Sequence, residues 1–454
     1  MAKIFLLTSG LTGILNASFE MARRLRAAGH EVMLGAPRPV AERVAAEGFS
    51  FVAFPEILID PVPIPSETGG KLGHAWLRFY YRKARRAAAL ESYRAPEFRA
   101  AVTRLDPDLL LIDIELHEYI IAAHALGRNF ALLSQWYSTW RRPGLPYLLT
   151  DTIPGAGRAG TRDAMEGHWD VVKQERRRMF AKMAFLSWRT DRRSILLALA
   201  DECGFPRKYI RENWWPGVFT YADLPVVTMT PRELEFPHDA RPGLHYVGPM
   251  VHETRKEETA ISHGGRPLEE LLTDAKTTGA KIILCTVSTL HAGDADFLRR
   301  LVAAVSPRRD WQLIVGLGGK LQPEALGGLP ANVHTFAYVP QLRVLRAADL
   351  SVNHAGIHTI HECLHFGVPQ LVYSGKRSDQ PGCAARVHFH GVGLRADKDL
   401  DEAEDIRRKI DEVLGGESYR RRTGEVRQAC LNYAKDETLE GVINGFLKRE
   451  RHDR

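Results

Sequence analysis

Between residues 336 and 380 the chain gathers side chains able to do chemistry at regular spacing. Leu350-Ser351-Val352-Asn353 reads as a short apolar strand. His354-Ala355-Gly356 reads as a tight exit, and Ile357–Phe366 as a helix closed by Gly367 and Pro369. A strand that feeds a helix through a Gly-containing turn aims bare N–H groups and a partial positive charge at one spot. Such a spot suits an anion, phosphate above all. His354 adds a donor in the turn itself, and Thr359 a hydroxyl in the first helical turn. At about 100° per residue, His358, His361, Glu362 and His365 share one arc, while Ile357, Ile360, Cys363 and Leu364 face the other way. The helix is therefore expected to pack on a sheet and to offer a polar, titratable face to a cleft. The plainer alternative is a solvated helix face.

His361-Glu362-Cys363-Leu364-His365 also matches H-E-x-x-H, in which two His one turn apart bind zinc. That chemistry needs a further ligand downstream, where this chain has a Gly turn, a Pro and a new strand. It also leaves His354, Gly356 and Thr359 without a role. No metal is expected.

Over these residues the chain resembles the nucleotide-sugar-dependent glycosyltransferases of family 1, the UDP-glycosyltransferase superfamily with the GT-B fold, and among them bacterial carotenoid and macrolide glycosyltransferases. The resemblance rests on Tyr338-Val339-Pro340-Gln341, His354-Ala355-Gly356, Thr359, Glu362, Gly367-Val368-Pro369 and Asp379-Gln380, in the family's order and spacing. It is strong over about 246–394 and diffuse elsewhere. It implies that Tyr338 lies against the base and Val339 offers its backbone to the base edge. Gln341 and Glu362 would hold the ribose hydroxyls, which favours UDP over dTDP. His354, Gly356 and Thr359 would neutralise the diphosphate, so that no metal is needed. Asp379 and Gln380 would read sugar hydroxyls, as in glucose users. His358 departs from the small amide common at its position. Val287-Ser288-Thr289 sits where the family has a loop beside the diphosphate, with Thr289 as the donor. Gly316-Leu317-Gly318-Gly319 is expected to be a sheet-end turn.

A chain of 454 residues is too long for one core and predicts two domains. Its 44% apolar and 26% charged residues are those of a globular protein, and +7 is a modest charge that points to anionic ligands rather than to nucleic acid. Five scattered cysteines fit reduced thiols in a cytoplasm. No run is long enough to span a membrane, and residues 1–8 read as a first strand rather than a signal peptide.

Strand-loop-helix-strand alternation predicts an α/β protein with two Rossmann-like parallel-sheet domains facing across a cleft. The expected division is 1–240 for an acceptor-binding domain, 241–270 for a linker and 271–430 for a nucleotide-sugar domain. Residues 431–454 would form a helix bracing the first domain. Asn16 is expected to cap the first helix, and residues 224–228 to form the last strand of the first sheet. Two insertions, 61–104 and 136–223, mix arginines (Arg82, Arg85, Arg86; Arg176-Arg177-Arg178) with aromatics. They read either as solvated helices or as a basic, aromatic surface that docks on a membrane or a lipophilic acceptor.

One element of the resemblance is missing. An inverting transfer needs the acceptor hydroxyl deprotonated as it attacks, and the family's usual His falls on Ile14. Asp113, at the end of its strand, or the nearby Glu115, His117 or Glu118 could act instead. The acceptor could need little help, or the protein could be a non-catalytic nucleotide-sugar-binding partner subunit. The leading expectation is an inverting, metal-independent hexosyltransferase, glucose favoured, acting from a UDP-sugar on a hydroxyl of a lipophilic small molecule. It would use no cofactor, and would lie in the cytoplasm or peripherally at the inner membrane face. A sugar-nucleotide epimerase is the alternative enzyme.

Overall fold

The structure, a computed structural model, describes residues 1–55, 79–137, 140–211, 218–239, 241–257, 260–286, 295–319, 321–435 and 438–449. The first sheet begins with β1 (Lys3–Leu7), β2 (Glu31–Pro37), β3 (Ser50–Phe54), β4 (Leu109–Asp113) and β5 (Phe130–Ser134). After a small hairpin of β6 (Ile210–Arg211) and β7 (Thr220–Tyr221), the strands β8 (Val226–Thr228) and β9 (Leu244–Tyr246) complete it. Its order is β3-β2-β1-β4-β5-β8-β9. The second sheet holds β10 (Lys281–Thr286), β11 (Trp311–Gly316), β12 (Val333–Phe336), β13 (Leu350–Asn353), β14 (Gln370–Tyr373) and β15 (Gly393–Ala396), in the order β12-β11-β10-β13-β14-β15. Every pairing within these two sheets is parallel.

Central strands such as β4 and β13 are buried along their whole length, and β4 accordingly reads as a nearly continuous apolar run. The strand order reverses between β1 and β4 and again between β10 and β13. In open parallel sheets the crevice beyond the carboxyl ends at such a reversal is where ligands bind. One reversal collects Thr8 to Leu11 with Asp113 to Glu115. The other collects Thr286 with His354 to Gly356.

Three details differ from the sequence expectation, and one set of residues cannot be compared. The first sheet's last strand is β9, beyond 224–228; its mixed Leu-His-Tyr composition lies half-buried at the sheet edge and carries no clear period. The edge strand β15 and the β6–β7 hairpin were hidden for the same reason, being short and mixed. The first helix runs Thr12–Ala27, and its N-cap is Leu11, which has no side-chain capping bond. Asn16 lies inside the helix, where its Oδ1 accepts from Arg43 Nη2 at 3.0 Å. Finally, Pro61, Pro63, Pro65, Trp76, Trp214, Trp215 and Pro216 fall outside the described residues.

All five cysteines are free. Among the described residues no helix is long and apolar enough to cross a membrane.

The helix Thr438–Arg449 lays Leu439, Ile443 and Phe446 into the same apolar cluster as Leu6, Leu15 and Phe19. The carbonyl of Phe446 accepts from Asn129 Nδ2 at 3.2 Å. A second tie is polar. Arg386, on the helix Gln380–Phe389, is fully buried, and its Nε donates to Glu235 Oε1 at 2.8 Å from the segment that follows the first sheet's β8. The guanidinium lies 4.9 Å from the ring centre of Tyr137 and 4.5 Å from that of Phe236, and Nη1 donates to the Gly382 carbonyl at 2.9 Å. Gly382 itself is pressed on the first domain: a Cβ there would lie 2.1 Å from the Leu148 carbonyl oxygen.

Removing one partner of a buried ion pair strands the other charge. Arg386→Met is therefore expected to cost about 3–5 kcal/mol in denaturant unfolding, and the double variant R386M/E235L to recover most of that loss.

Candidate active site

The turn after β13 is built around Asn353. Its Nδ2 donates to Ser351 Oγ and Gln370 Oε1, both at 3.1 Å, and its Oδ1 accepts the Ala355 N–H at 2.9 Å. That last bond holds Ala355, which is fully buried, at φ +62°. A non-glycine residue in the left-handed region costs about 1–3 kcal/mol and persists where the surroundings over-determine it. Gly356 is the N-cap of the following helix and makes no side-chain capping bond, so the first N–H groups of Ile357–Phe366 are left to whatever occupies the crevice. The His354 ring folds over Gly356, where a Cβ would lie 2.8 Å from Nε2. His354 Nδ1 is buried without a partner. Burial pulls the His354 pKa below the ordinary histidine value, partly opposed by a hydrogen bond to the Thr286 backbone.

The first helix of the other sheet points the same way. Its uncapped start at Thr12 and Gly13 abuts this cradle: a Cβ on Gly13 would lie 2.5 Å from His358 Cδ2. Two uncapped helix N-termini thus meet at the gap between the sheets, and their partial positive charges add.

The polar arc of Ile357–Phe366 does not face an open cleft. It is an interface. His361 is buried and hydrogen-bonded through Nε2 to the Tyr137 hydroxyl at 3.2 Å; burial, with His358 beside it, lowers its pKa to about 3. Burial, with Arg255 nearby, lowers that of His358 to about 4. His365 Nε2 lies 2.5 Å from Glu253 Oε1. Glu362 receives Arg255 Nη1 on one oxygen and Gln341 Nε2 on the other, each at 2.5 Å. The two His of the H-E-x-x-H match are thus engaged by Tyr137 and Glu253. No group of three His, Cys, Asp or Glu side chains that could hold a metal ion occurs among the described residues.

Tyr338, 68% exposed, stands beside the turn after β11, where Gly319 (φ +68°) leaves room for its hydroxyl: a Cβ would lie 2.3 Å from that oxygen. Val339 packs over Gly316. Thr359 stands in the helix's first turn. Thr289, with Val287 and Ser288, lies outside the described residues. Asp379 is buried and accepts the Cys383 thiol proton at 3.3 Å; burial raises its pKa to about 6. Gln380 Oε1 accepts the Gly375 N–H at 2.8 Å, fixing the loop that carries the pair.

On the first sheet, Ile14 is buried in its helix and can carry no proton. Asp113 is buried at the end of β4, accepting the Glu115 N–H on Oδ1 at 3.0 Å, with Oδ2 unpartnered. Burial, reinforced by the Glu115 carboxylate, raises its pKa to about 7. Glu115, half-buried, is at the same strand end. His117 is turned away from it, buried with Nδ1 2.9 Å from the Tyr221 hydroxyl and packed on Phe219. Glu118, also buried, lies 3.7 Å from Arg192 Nη2. A cavity of about 350 Å³, lined by Ser9, Leu11, Pro37, Phe54, Leu116 and Tyr119 among others, opens beyond the ends of β1, β2 and β3. Such a mostly apolar hollow suits a small lipophilic molecule.

Sequence reasoning missed Arg255, Gly13 and Tyr137. Arg255 sits in a polar linker without periodicity, and nothing local marks it as the partner of Glu362.

The family model described as "Erythromycin biosynthesis protein CIII-like, C-terminal domain" matches residues 300–439. The chain is 26% identical over 395 residues to oleandomycin glycosyltransferase of Streptomyces antibioticus, covering 87% of this chain and 79% of that protein. It is 24% identical over 338 residues to zeaxanthin glucosyltransferase of Pantoea ananas, covering 73% and 70%. Several further relatives are matched over only about half of their own length. The crystal structure of the glycosyltransferase of kitacinnamycin superposes with a TM-score of 0.69 at 22% identity, over 98% of both chains, and shares the fold. Matched in sequence over most of its length and in fold over nearly all of it, the chain has the GT-B fold and is similar to glycosyltransferases of family 1.

Proposed function

We propose that this glycosyltransferase is inverting and metal-independent, moving a hexose, with glucose favoured, from a UDP-sugar to a hydroxyl of a lipophilic small molecule. The observation that carries this reading is the cradle after Asn353: the free N–H groups that open the helix Ile357–Phe366 and a second uncapped helix start at Gly13, with the buried, unpartnered Nδ1 of His354 beside them. Together they supply donors for the charge that develops on a departing diphosphate. Thr359, and Thr289 by resemblance, would add hydroxyls. Tyr338 is free to lie on a base, and Val339 would meet its edge. Glu362 and Gln341 face each other where a ribose diol would sit; a carboxylate oxygen has lone pairs beyond those that Arg255 and Gln341 use. That acidic pair is what favours a ribonucleotide. Asp379 and Gln380, on their fixed loop, would read the sugar hydroxyls.

In the step itself the acceptor oxygen attacks the anomeric carbon, its proton passes to Asp113, and the carbon–oxygen bond to the diphosphate breaks on the opposite face with the electron pair leaving on phosphate. Of the candidate bases, Asp113 combines an unpartnered oxygen with a pKa near the working pH, the condition under which a general base is most useful. His117, engaged by Tyr221, is the weakest of them.

His354→Ala is expected to weaken UDP binding in calorimetry and to lower turnover with it; wild-type UDP affinity in that variant would displace the diphosphate from this turn. Asp113 acts as a base only when ionised. The rate should therefore fall as pH drops through about 7. Asp113→Asn should cost on the order of a hundredfold or more and remove that acidic limb. UDP binding with no turnover across a panel of hydroxylated acceptors would instead favour the partner-subunit reading that Ile14 suggests. Chelator is expected to leave the rate unchanged, and a loss restored by a divalent ion would overturn metal independence.

A further inference from the structure

Charge on this chain is concentrated. Residues 82–86 and 173–193 hold twelve Lys and Arg against two acidic side chains, a balance of +10. With a total of +7, that leaves −3 on all the rest. The fold brings both segments to one place. Arg86 from the helix Arg82–Tyr93, Arg176 and Arg177 from the helix Arg162–Leu186, and Arg189, Arg193 and Arg207 line one open cleft of about 410 Å³. Asp201 is the single acid lining it, and Arg207 already holds it through two hydrogen bonds of 2.5 and 2.6 Å. None of these residues belongs to the donor cradle.

Large apolar side chains stand out beside the cleft. The helix Arg162–Leu186 buries Met165, Trp169 and Val172 in its first half. Its last turns expose Met183, Phe185 and Leu186, with Phe185 at 75%. Trp188 follows, its ring 4.7 Å from that of Phe79 and 6.3 Å from that of Phe185, and Tyr80 and Tyr81 are exposed next to Phe79. Trp188 and Arg189 both have positive φ, +54° and +58°. L-residues adopt that conformation only at a cost. The turn keeps a cation and part of an aromatic ring at the surface, Trp188 being 44% exposed.

We infer that this surface docks on a bilayer with anionic phosphate headgroups, the arginine cleft receiving phosphate and the ridge of Phe185, Leu186 and Trp188 entering the headgroup–acyl boundary. Charge complementarity selects the occupant. A polyanion alone would have no use for the exposed ridge, and an apolar protein partner would have to cover a strongly positive face. Basic side chains interleaved with Trp, Phe and Leu are the composition that binds membrane interfaces. The surface would hold the enzyme where lipophilic acceptors are dissolved.

The test is co-sedimentation of the full chain with vesicles of phosphatidylcholine, with and without phosphatidylglycerol. Wild type should pellet with the anionic vesicles only, and less as salt rises. The variant F185S/L186S/W188S should lose about tenfold or more in partitioning, and R86E/R177E/R189E should lose it altogether. Both should keep wild-type UDP affinity and melting temperature, which separates lost docking from misfolding or a failed donor site. Three outcomes would overturn the inference. One is no pelleting with anionic vesicles at low salt. Another is equal pelleting of the serine variant, which would make the attraction purely electrostatic. The third is a wild-type dimer that the serine variant dissociates without altering vesicle binding, which would make the occupant a second copy of this chain.

Discussion

Two helices that begin without caps are pressed start to start across the gap between the sheets, and the rest of the molecule is arranged around that contact. Helix starts normally find a Ser, Thr, Asp or Asn to accept their free N–H groups. Here Leu11 and Gly356 hold the capping positions, and neither has a side chain that can accept. Gly13 then admits the His358 ring where any Cβ would collide with it. An unsatisfied, electropositive seam is costly in an empty protein and useful to one that binds an anion there. The strained Ala355 turn, tied by Asn353, fixes the orientation of one of the two helices.

Such a seam needs the two sheets held in register by something else. The same helix supplies part of it, since its polar arc is engaged by Tyr137, Glu253 and Arg255 rather than by solvent. Arg386 supplies another part, reaching Glu235 from a fully buried position. The return of Thr438–Arg449 to the first core supplies a third. Two of these three ties are polar, so the relation between the domains is specified by geometry and partner identity more than by burial. Arg255 lies where both functions meet: it spans from the linker to Glu362, one of the residues expected to face the nucleotide, and Gln341 completes that contact.

Local order was legible in the sequence; non-local pairing was not. The strands at Leu109–Asp113, Phe130–Ser134, Lys281–Thr286 and Leu350–Asn353 coincide with short, mostly apolar runs, because a strand covered on both faces is rich in apolar residues. The edge strands β9 and β15 escape that rule, being half-buried. The residues expected to face a donor could be grouped from the sequence because most lie within one strand-turn-helix-strand unit, where spacing along the chain fixes spacing in space. The polar arc was correctly placed on one helix face and wrongly given to a cleft: period identifies a face but not what covers it. Asn16 looked like a cap on residue type alone, yet the helix had begun a turn earlier and Arg43 took its side chain.

Ile14 and Asp113 are best understood together. In the family pattern the chain resembles, an aspartate at this strand end orients a histidine, and a protonated imidazole beside a carboxylate holds it ionised. With Ile14 in that place, no imidazole offsets the burial of Asp113, and the Glu115 carboxylate adds to the penalty. The carboxyl is therefore carried from the ordinary acidic range to about 7, while one of its oxygens is left without a partner. Absence of the imidazole thus raises the basicity of the group that remains, by the same desolvation that the imidazole would have relieved. On the proposed mechanism, a substitution that removes the usual base also prepares its replacement.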